Sequence, residues 1–158
     1  MLRSTSFLVL SFMFVAISLS SCKKKCIINK DTIDTGLIIS DVVFYPSSGS
    51  MTGNMGIDFI IDADHKYSND IEVSMSGSGR APIDFTQYTA LCCPVSSTCN
   101  ASFERNVSID AATQTVLFKI DVTQCPDCKD TIHTENYVLV PTFPSNYTLV
   151  QEVTYINK

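Results

Sequence analysis

The chain has 158 residues, and its 11 basic and 16 acidic side chains give a net charge of −5 at pH 7. This mildly acidic balance argues against nucleic-acid binding, and the length suits one domain with its own hydrophobic core. Leucine is scarce, whereas isoleucine, valine, threonine, phenylalanine and tyrosine are frequent, which is a composition typical of β-strands.

The first element in chain order is an apolar run near the amino terminus. Arg3 provides a short positive region, and the run from Phe7 to Ile17 is broken only by Ser11. A transmembrane helix needs about 20 apolar residues, so this run is too short to span a membrane. Its length and position are those of the apolar core of an export signal. The sequence therefore predicts an exported protein, and no later apolar run reaches membrane-spanning length.

Leu19-Ser20-Ser21-Cys22 follows this run directly. The tetrapeptide resembles the lipobox of Gram-negative bacterial lipoproteins. The resemblance implies cleavage before Cys22 and fatty acyl chains such as palmitate on that cysteine. Because no aspartate follows Cys22, it also implies transport to the outer membrane, with both the periplasmic and the surface face left open. An ordinary secretory signal, cut at Ser18 or Ser20, is the alternative.

The cysteine count favours the lipoprotein interpretation. Export leads to an oxidising compartment, where cysteines pair as disulfides. The chain has seven cysteines, and lipidation of Cys22 leaves an even number that can pair completely. The sequence thus predicts a signal peptide over residues 1 to 21, a lipidated tether over 22 to 35 and one folded domain over 36 to 158.

Alternation of apolar and polar residues runs through the folded domain. Four segments show the period of two that is typical of half-buried strands. Their apolar positions are Ile57, Phe59 and Ile61; Ile71, Val73 and Met75; Phe103, Val107 and Ile109; and Val116, Phe118, Ile120 and Val122. Less regular strands are predicted from Leu37 to Tyr45, Phe85 to Ala90, Tyr137 to Val140 and Tyr147 to Ile156. The pattern predicts an all-β fold of about eight antiparallel strands.

The first half of the domain resembles a family as well as a fold class. A strand, a turn at Pro46-Ser47-Ser48 and a second, alternating strand are similar to bacterial immunoglobulin-like modules. The resemblance implies an immunoglobulin-like β-sandwich. Successive antiparallel strands then place the connections 62 to 70, 91 to 100 and 124 to 135 at the tethered end. That end is expected to collect Cys26, Cys92, Cys93, Cys99, Cys125, Cys128, His65 and His133.

Structural disulfides are the expected role of these cysteines, because long loops gain order from cross-links. Adjacent Cys92 and Cys93 are not expected to pair with each other, since a bond between neighbours is strained. The expected pairs are Cys125 with Cys128, one of the adjacent cysteines with Cys99, and the other with Cys26. Pairing of Cys92 or Cys93 with Cys125 or Cys128 is left as an alternative.

Two chemical alternatives use the same residues. Cys125, Cys128, His133 and His65 resemble a ligand set for zinc or copper(I). Thiol–disulfide exchange at the Cys125/Cys128 pair is the second alternative. Exchange needs a cysteine with a lowered pKa, usually at the N-terminus of a helix. The segment after Cys128 has the pattern of a loop and a strand instead, which argues against exchange.

The sequence favours a binding protein over an enzyme. No catalytic triad, phosphate-binding loop or carboxylate pair is present, so neither a catalytic residue nor a cofactor is predicted. We expect a lipid-anchored module that binds or scaffolds an envelope protein or a glycan and touches the membrane through its lipid. Contacts are expected from a sheet edge or from the loops opposite the tether, at residues 46 to 55, 77 to 83, 110 to 114 and 142 to 146.

Overall fold

A computed structural model describes residues 26–29, 31–46, 59–64, 68–69, 71–126 and 128–158. Cys22 and the predicted signal peptide lie outside these residues. The described part of the chain contains β-strands and no helix. The strands are β1 Ile33–Gly36, β2 Val42–Pro46, β3 Phe59–Ile61, β4 Ile71–Met75, β5 Ala81–Pro82, β6 Tyr88–Thr98, β7 Ala101–Asp110, β8 Thr115–Gln124, β9 Thr131–Pro141 and β10 Thr148–Asn157. The predicted all-β class is confirmed.

The strands form three sheets, with the orders β1-β7-β8-β10, β2-β4-β5 and β3-β6-β9. The β3-β6-β9 sheet contributes side chains to two separate hydrophobic cores. The larger core lies against β7 and β8, and the smaller core lies against β4. The sheets are therefore stacked in three layers, with β3-β6-β9 in the middle.

The outer strands β8 and β4 form where alternation of apolar and polar residues predicted them. On β8, Val116, Phe118, Ile120 and Val122 are all 0% exposed, and the residues between them are half-buried. On β4, Ile71 and Val73 are buried in the smaller core. Successive side chains on a strand point to opposite faces, so this period turns one apolar face inward.

The middle strands differ because both of their faces are covered. β6 is buried almost continuously from Thr89 to Cys93, and β9 is buried from Asn136 to Val140. The predicted strand from Phe85 to Ala90 is therefore displaced: residues 85 to 87 form a turn, and β6 runs on to Thr98. A strand between two layers needs no polar face, and so it shows no alternation.

The predicted antiparallel arrangement is wrong at two strand pairs. β1 pairs in parallel with β7, and β10 pairs in parallel with β8. The second pair arises because the chain leaves β8, passes through β9 in the middle sheet, and returns beside β8. Such a crossover is the connection that parallel neighbours require.

Residues of the predicted tether lie against the domain. Ile28 is buried, and β1, which begins at Ile33, pairs with β7. The Arg105 guanidinium joins two layers there: it contacts the Asp34 carboxylate at 2.6 and 2.7 Å and donates to the Tyr137 carbonyl oxygen at 2.8 Å. The folded domain therefore includes residues before position 36.

Candidate functional site

Two disulfides cross-link one end of the molecule, the disulfide end. Cys26 pairs with Cys125, and Cys99 pairs with Cys128, with a Cα–Cα distance of 5.8 Å in each pair. Native disulfides have this separation. The turn after β6 contains Cys99, and the connection after β8 contains Cys125 and Cys128. Because β6 and β8 both end here, the fold brings these segments together.

Asn100 holds the disulfide end in place. Its Nδ2 atom lies 3.2 Å from the Cys26 carbonyl oxygen and 3.2 Å from the Cys125 sulfur. The Cys125 N–H donates to the Asn100 carbonyl oxygen at 3.1 Å, and the Cys99 N–H donates to the Asp130 carbonyl oxygen at 3.0 Å. These bonds give the cross-linked end a defined geometry.

The observed pairing differs from the predicted pairing. A Cys125–Cys128 disulfide was expected, and this prediction is wrong because each of these cysteines pairs with a cysteine of another segment. Cys99 and Cys26 were expected to pair with the adjacent cysteines Cys92 and Cys93, but they pair with Cys128 and Cys125. The physical reason is that the segment around Cys26, the turn after β6 and the connection after β8 lie side by side, so bonds between segments replace a bond within one loop.

Cys92 and Cys93 lie in the middle of β6, so their predicted place at the tethered end is wrong. The rise of a strand is about 3.3 Å per residue, which puts Cys92 about 23 Å from Cys99 along β6. Cys93 packs in the larger core and Cys92 in the smaller one. Cys92 lies near the Tyr137 hydroxyl, which donates to Glu135 at 3.0 Å. Burial, together with Cys92 and Glu135, raises the pKa of Tyr137.

The predicted metal set does not assemble among the described residues. Cys125 and Cys128 belong to different disulfides, whose sulfurs are not the thiolates that zinc or copper(I) binds. His133 Nδ1 lies 2.8 Å from Ser96 Oγ on the neighbouring strand β6. In the described part of the chain no group of three or more His, Cys, Asp or Glu residues could hold a metal ion, and His65 lies outside that part.

The disulfide pairing also argues against thiol–disulfide exchange at the Cys125/Cys128 pair. In exchange, a thiolate attacks a disulfide sulfur, and a C-x-x-C pair cycles by bonding its two cysteines to each other. Here Cys125 is bonded to Cys26 and Cys128 to Cys99. Cys125 is also buried, with 2% of its surface exposed, so its sulfur is shielded from an attacking thiolate. The Cys26–Cys125 disulfide therefore has the features of a structural cross-link.

A small apolar cavity lies between β4, β5 and β6. Its volume is about 120 Å³, and its walls include Val73, Ile83, Tyr88 and Leu139. Pockets that enclose small-molecule ligands are larger, at about 300–1,000 Å³. The cavity is therefore a packing gap rather than a candidate site for a sugar or a cofactor.

Asp84, beside this cavity, and Asp110 each accept hydrogen bonds from the turn that follows them. Asp84 accepts from Thr86 Oγ1 at 2.6 Å, from the Thr86 N–H at 3.0 Å and from Gln87 Nε2 at 2.7 Å. Asp110 accepts from Thr113 and from the Ala112 N–H. Hydrogen bonds to the charged form hold the pKa of both carboxyl groups below the ordinary value, and the threonine side chain is the largest cause in each.

We expect Thr86→Val to raise the pKa of Asp84 towards its ordinary value and to leave the pKa of Asp110 unchanged. Thr113→Val is expected to raise the pKa of Asp110 and to leave that of Asp84 unchanged. A lowered pKa in the folded state contributes stability above the ordinary aspartate pKa of about 3.9, and this is lost as pH falls through the lowered value. NMR titration of the two carboxyl groups measures the shifts. An Asp84 pKa that is the same with and without Thr86 would contradict the prediction.

A long open sheet edge belongs to β10. This strand is the end strand of its sheet, and no strand among the described residues pairs with its outer side. It is ten residues long, contains no proline, and has Glu152 as its one charged residue. Val150, Tyr155 and Ile156 are 44%, 48% and 46% exposed. An extended, weakly charged and partly apolar edge is a surface that another strand can join.

The loops predicted as contact surfaces give less evidence of a binding surface than β10 does. Residues 47 to 58, which make up most of the first loop, lie outside the described residues, as do Met51 and Met55. Residues 77 to 83 contain the short strand β5, and residues 110 to 114 and 142 to 146 are short connections between strands. β10 is predicted from sequence as a strand, but its place at a sheet edge depends on pairing between distant segments.

Comparisons with known proteins give no relative for the chain. No protein-family model matches it, and neither a curated protein nor a solved structure matches it. Among the described residues no helix has the length and hydrophobicity of a membrane span. The geometry of the disulfide end and of the β10 edge is thus the basis for assigning a function.

Proposed function

We propose that the chain is a lipid-anchored binding or scaffolding module of the bacterial cell envelope, without catalytic activity. The observation that carries the proposal is the Cys26–Cys125 disulfide. It cross-links the domain to a residue only four positions after Cys22, the proposed site of lipidation. Disulfides persist in exported proteins and are rare in the cytosol. The domain would therefore begin almost directly at the membrane surface, and the outer membrane is the favoured site.

The binding role is supported by the distribution of exposed groups. The described residues include a cavity of only about 120 Å³ and a ten-residue strand with an open edge. Backbone groups along an open edge bind another extended chain through main-chain hydrogen bonds. β10 also ends beside the disulfide end, since the Lys158 N–H donates to the Gln124 carbonyl oxygen at 3.1 Å. A partner on β10 would thus be held close to the membrane.

Cys22→Ser is expected to abolish acylation and to move the protein from the membrane fraction to the soluble envelope fraction. The physical reason is that the acyl chains on Cys22 would be its anchor, and two or more chains are needed for stable attachment. Mass spectrometry of the mature amino terminus and fractionation of cells measure the two effects.

The matched control is Cys26→Ser/Cys125→Ser, which removes nearby cysteines and leaves Cys22 in place. This variant is expected to stay in the membrane fraction. An unmodified amino terminus in the native protein, or unchanged membrane attachment of Cys22→Ser, would overturn the proposed anchor.

We also propose that the two sheets around the larger core form an immunoglobulin-like sandwich. The support is that β6 and β9 on one side and β7 and β8 on the other are antiparallel pairs whose apolar side chains share one core. The parallel pairing of β10 would make it an unusual member. A crystal structure would test this through its strand connectivity, and a different connectivity around the larger core would refute it.

A further inference from the structure

We infer that the outer edge of β10 binds the same edge of a second copy of this chain, so that the two strands pair in antiparallel orientation about a twofold axis at Val153. This inference goes beyond the proposed function and holds whether or not Cys22 is lipidated. It joins two β1-β7-β8-β10 sheets into one continuous sheet. A twofold contact of this kind is self-complementary and closes after two subunits.

The first step concerns protection of the sheet edges. Natural edge strands are kept from pairing by being short, by charged side chains (lysine above all), by proline, or by other segments that cover them. β1, β2, β3 and β5 have only 4, 5, 3 and 2 residues. β9 is long, but its Leu139 carbonyl accepts from the Ile39 N–H at 2.8 Å and its Tyr137 carbonyl accepts from Arg105. Within the described residues, β10 has one charged side chain, Glu152, but it is long, contains no proline and is not covered by another segment.

The second step concerns the rigidity of β10. Its inner face is held by two side chains that donate to β6: Gln151 Nε2 to the Cys92 carbonyl at 2.9 Å, and the Tyr155 hydroxyl to the Ser96 carbonyl at 3.0 Å. Leu149 and Val153 on the same face pack against the larger core. An edge that is already extended loses little conformational entropy when it pairs, so binding is favoured.

The third step concerns the register of the two strands. An axis at Val153 places Val150 opposite Ile156 of the second copy, and Glu152 opposite Thr154 of the second copy. These four outer-face residues are all exposed in the single chain, so pairing would bury two Val–Ile contacts. An axis at Glu152 would instead set two carboxylates against each other, and like charges directly opposite each other are destabilising. Pairing of Val150 with Ile156 and separation of the two Glu152 carboxylates therefore both favour the axis at Val153.

Thr154→Glu and Thr154→Lys form a matched test. The first places a negative charge opposite Glu152 of the second copy, and the second places a positive charge there. In the purified full mature protein, sedimentation in density-matched detergent is expected to show a concentration-dependent dimer. We expect Thr154→Glu to weaken dimerisation by about fivefold or more, and Thr154→Lys to strengthen it. Thr154 also lies next to Asp121 on β8, so circular dichroism must first show that each variant is folded.

Two further variants make the test specific for the register. Glu152→Lys combined with Thr154→Glu again sets opposite charges across the axis, and is expected to restore the dimer. Ser108→Glu adds the same charge on an exposed residue of β7, away from the edge, and is expected to leave the dimer unchanged. A wild-type protein that stays monomeric up to about 1 mM, or a dimer indifferent to Thr154→Glu, would overturn the inference.

Discussion

Replacing Cys26 and Cys125 together by alanine is expected to lower the free energy of unfolding by about 3–5 kcal/mol. The disulfide joins residues 99 positions apart, so its loss releases a long loop in the unfolded chain. Chain-entropy arithmetic gives about 4.7 kcal/mol for a loop of about 100 residues. Denaturant unfolding followed by circular dichroism measures the change. Replacing both cysteines avoids an unpaired thiol in the buried position of Cys125.

Cys99→Ala/Cys128→Ala is the matched comparison, because the two disulfides lie side by side but close loops of different length. Its separation of 29 residues corresponds to about 3.6 kcal/mol on the same scale, so a smaller loss is expected. Reduction of the wild-type protein should lower its stability further than either double variant. If Cys26→Ala/Cys125→Ala unfolded at the same denaturant concentration as the wild type, the Cys26–Cys125 cross-link would be refuted.

Strands with one buried face are the part of this fold that the sequence predicts well. β8 and β4 show regular alternation because one side packs on a core and the other faces solvent or a polar surface. β6 lacks such a pattern because Leu91 faces one core and Cys92 the other. The two adjacent cysteines then favoured a loop with disulfides. Burial on both faces removes the periodic signal on which the prediction of a strand depends.

The candidate site is less predictable because it depends on contacts between distant segments. The disulfide partners follow from the meeting of the Cys26 segment, the turn after β6 and the β8–β9 connection, whereas the sequence predicted a pair of Cys125 with Cys128. The sequence predicts β10 at residues 147 to 156, and each of these bounds is within one residue of the observed strand, Thr148–Asn157. Its parallel pairing with β8, and hence its open edge, requires knowing that β9 crosses to another sheet.

Phe118→Ala is expected to lower the free energy of unfolding by about 3–5 kcal/mol, which is typical for deletion of a buried aromatic ring. Phe118 is 0% exposed and is the largest fully buried side chain among the described residues. It lies in the larger core, which joins the β8 sheet to the middle sheet. Truncation removes buried apolar surface and leaves a cavity between the two layers, so both terms destabilise the fold. Denaturant unfolding of the purified variant measures the effect.

Lys119→Ala is the control, because it alters the next residue of the same strand on the opposite face. The Lys119 side chain is 39% exposed and its Nζ atom lies 3.1 Å from Asp121, a surface ion pair of the kind worth about 0–1 kcal/mol. A small effect here and a large effect at Phe118 would show that β8 turns alternate residues to a closed core. Equal effects at the two positions would contradict that face assignment. The β10 register would then be in doubt as well, because the two faces of β10 are assigned through its pairing with β8.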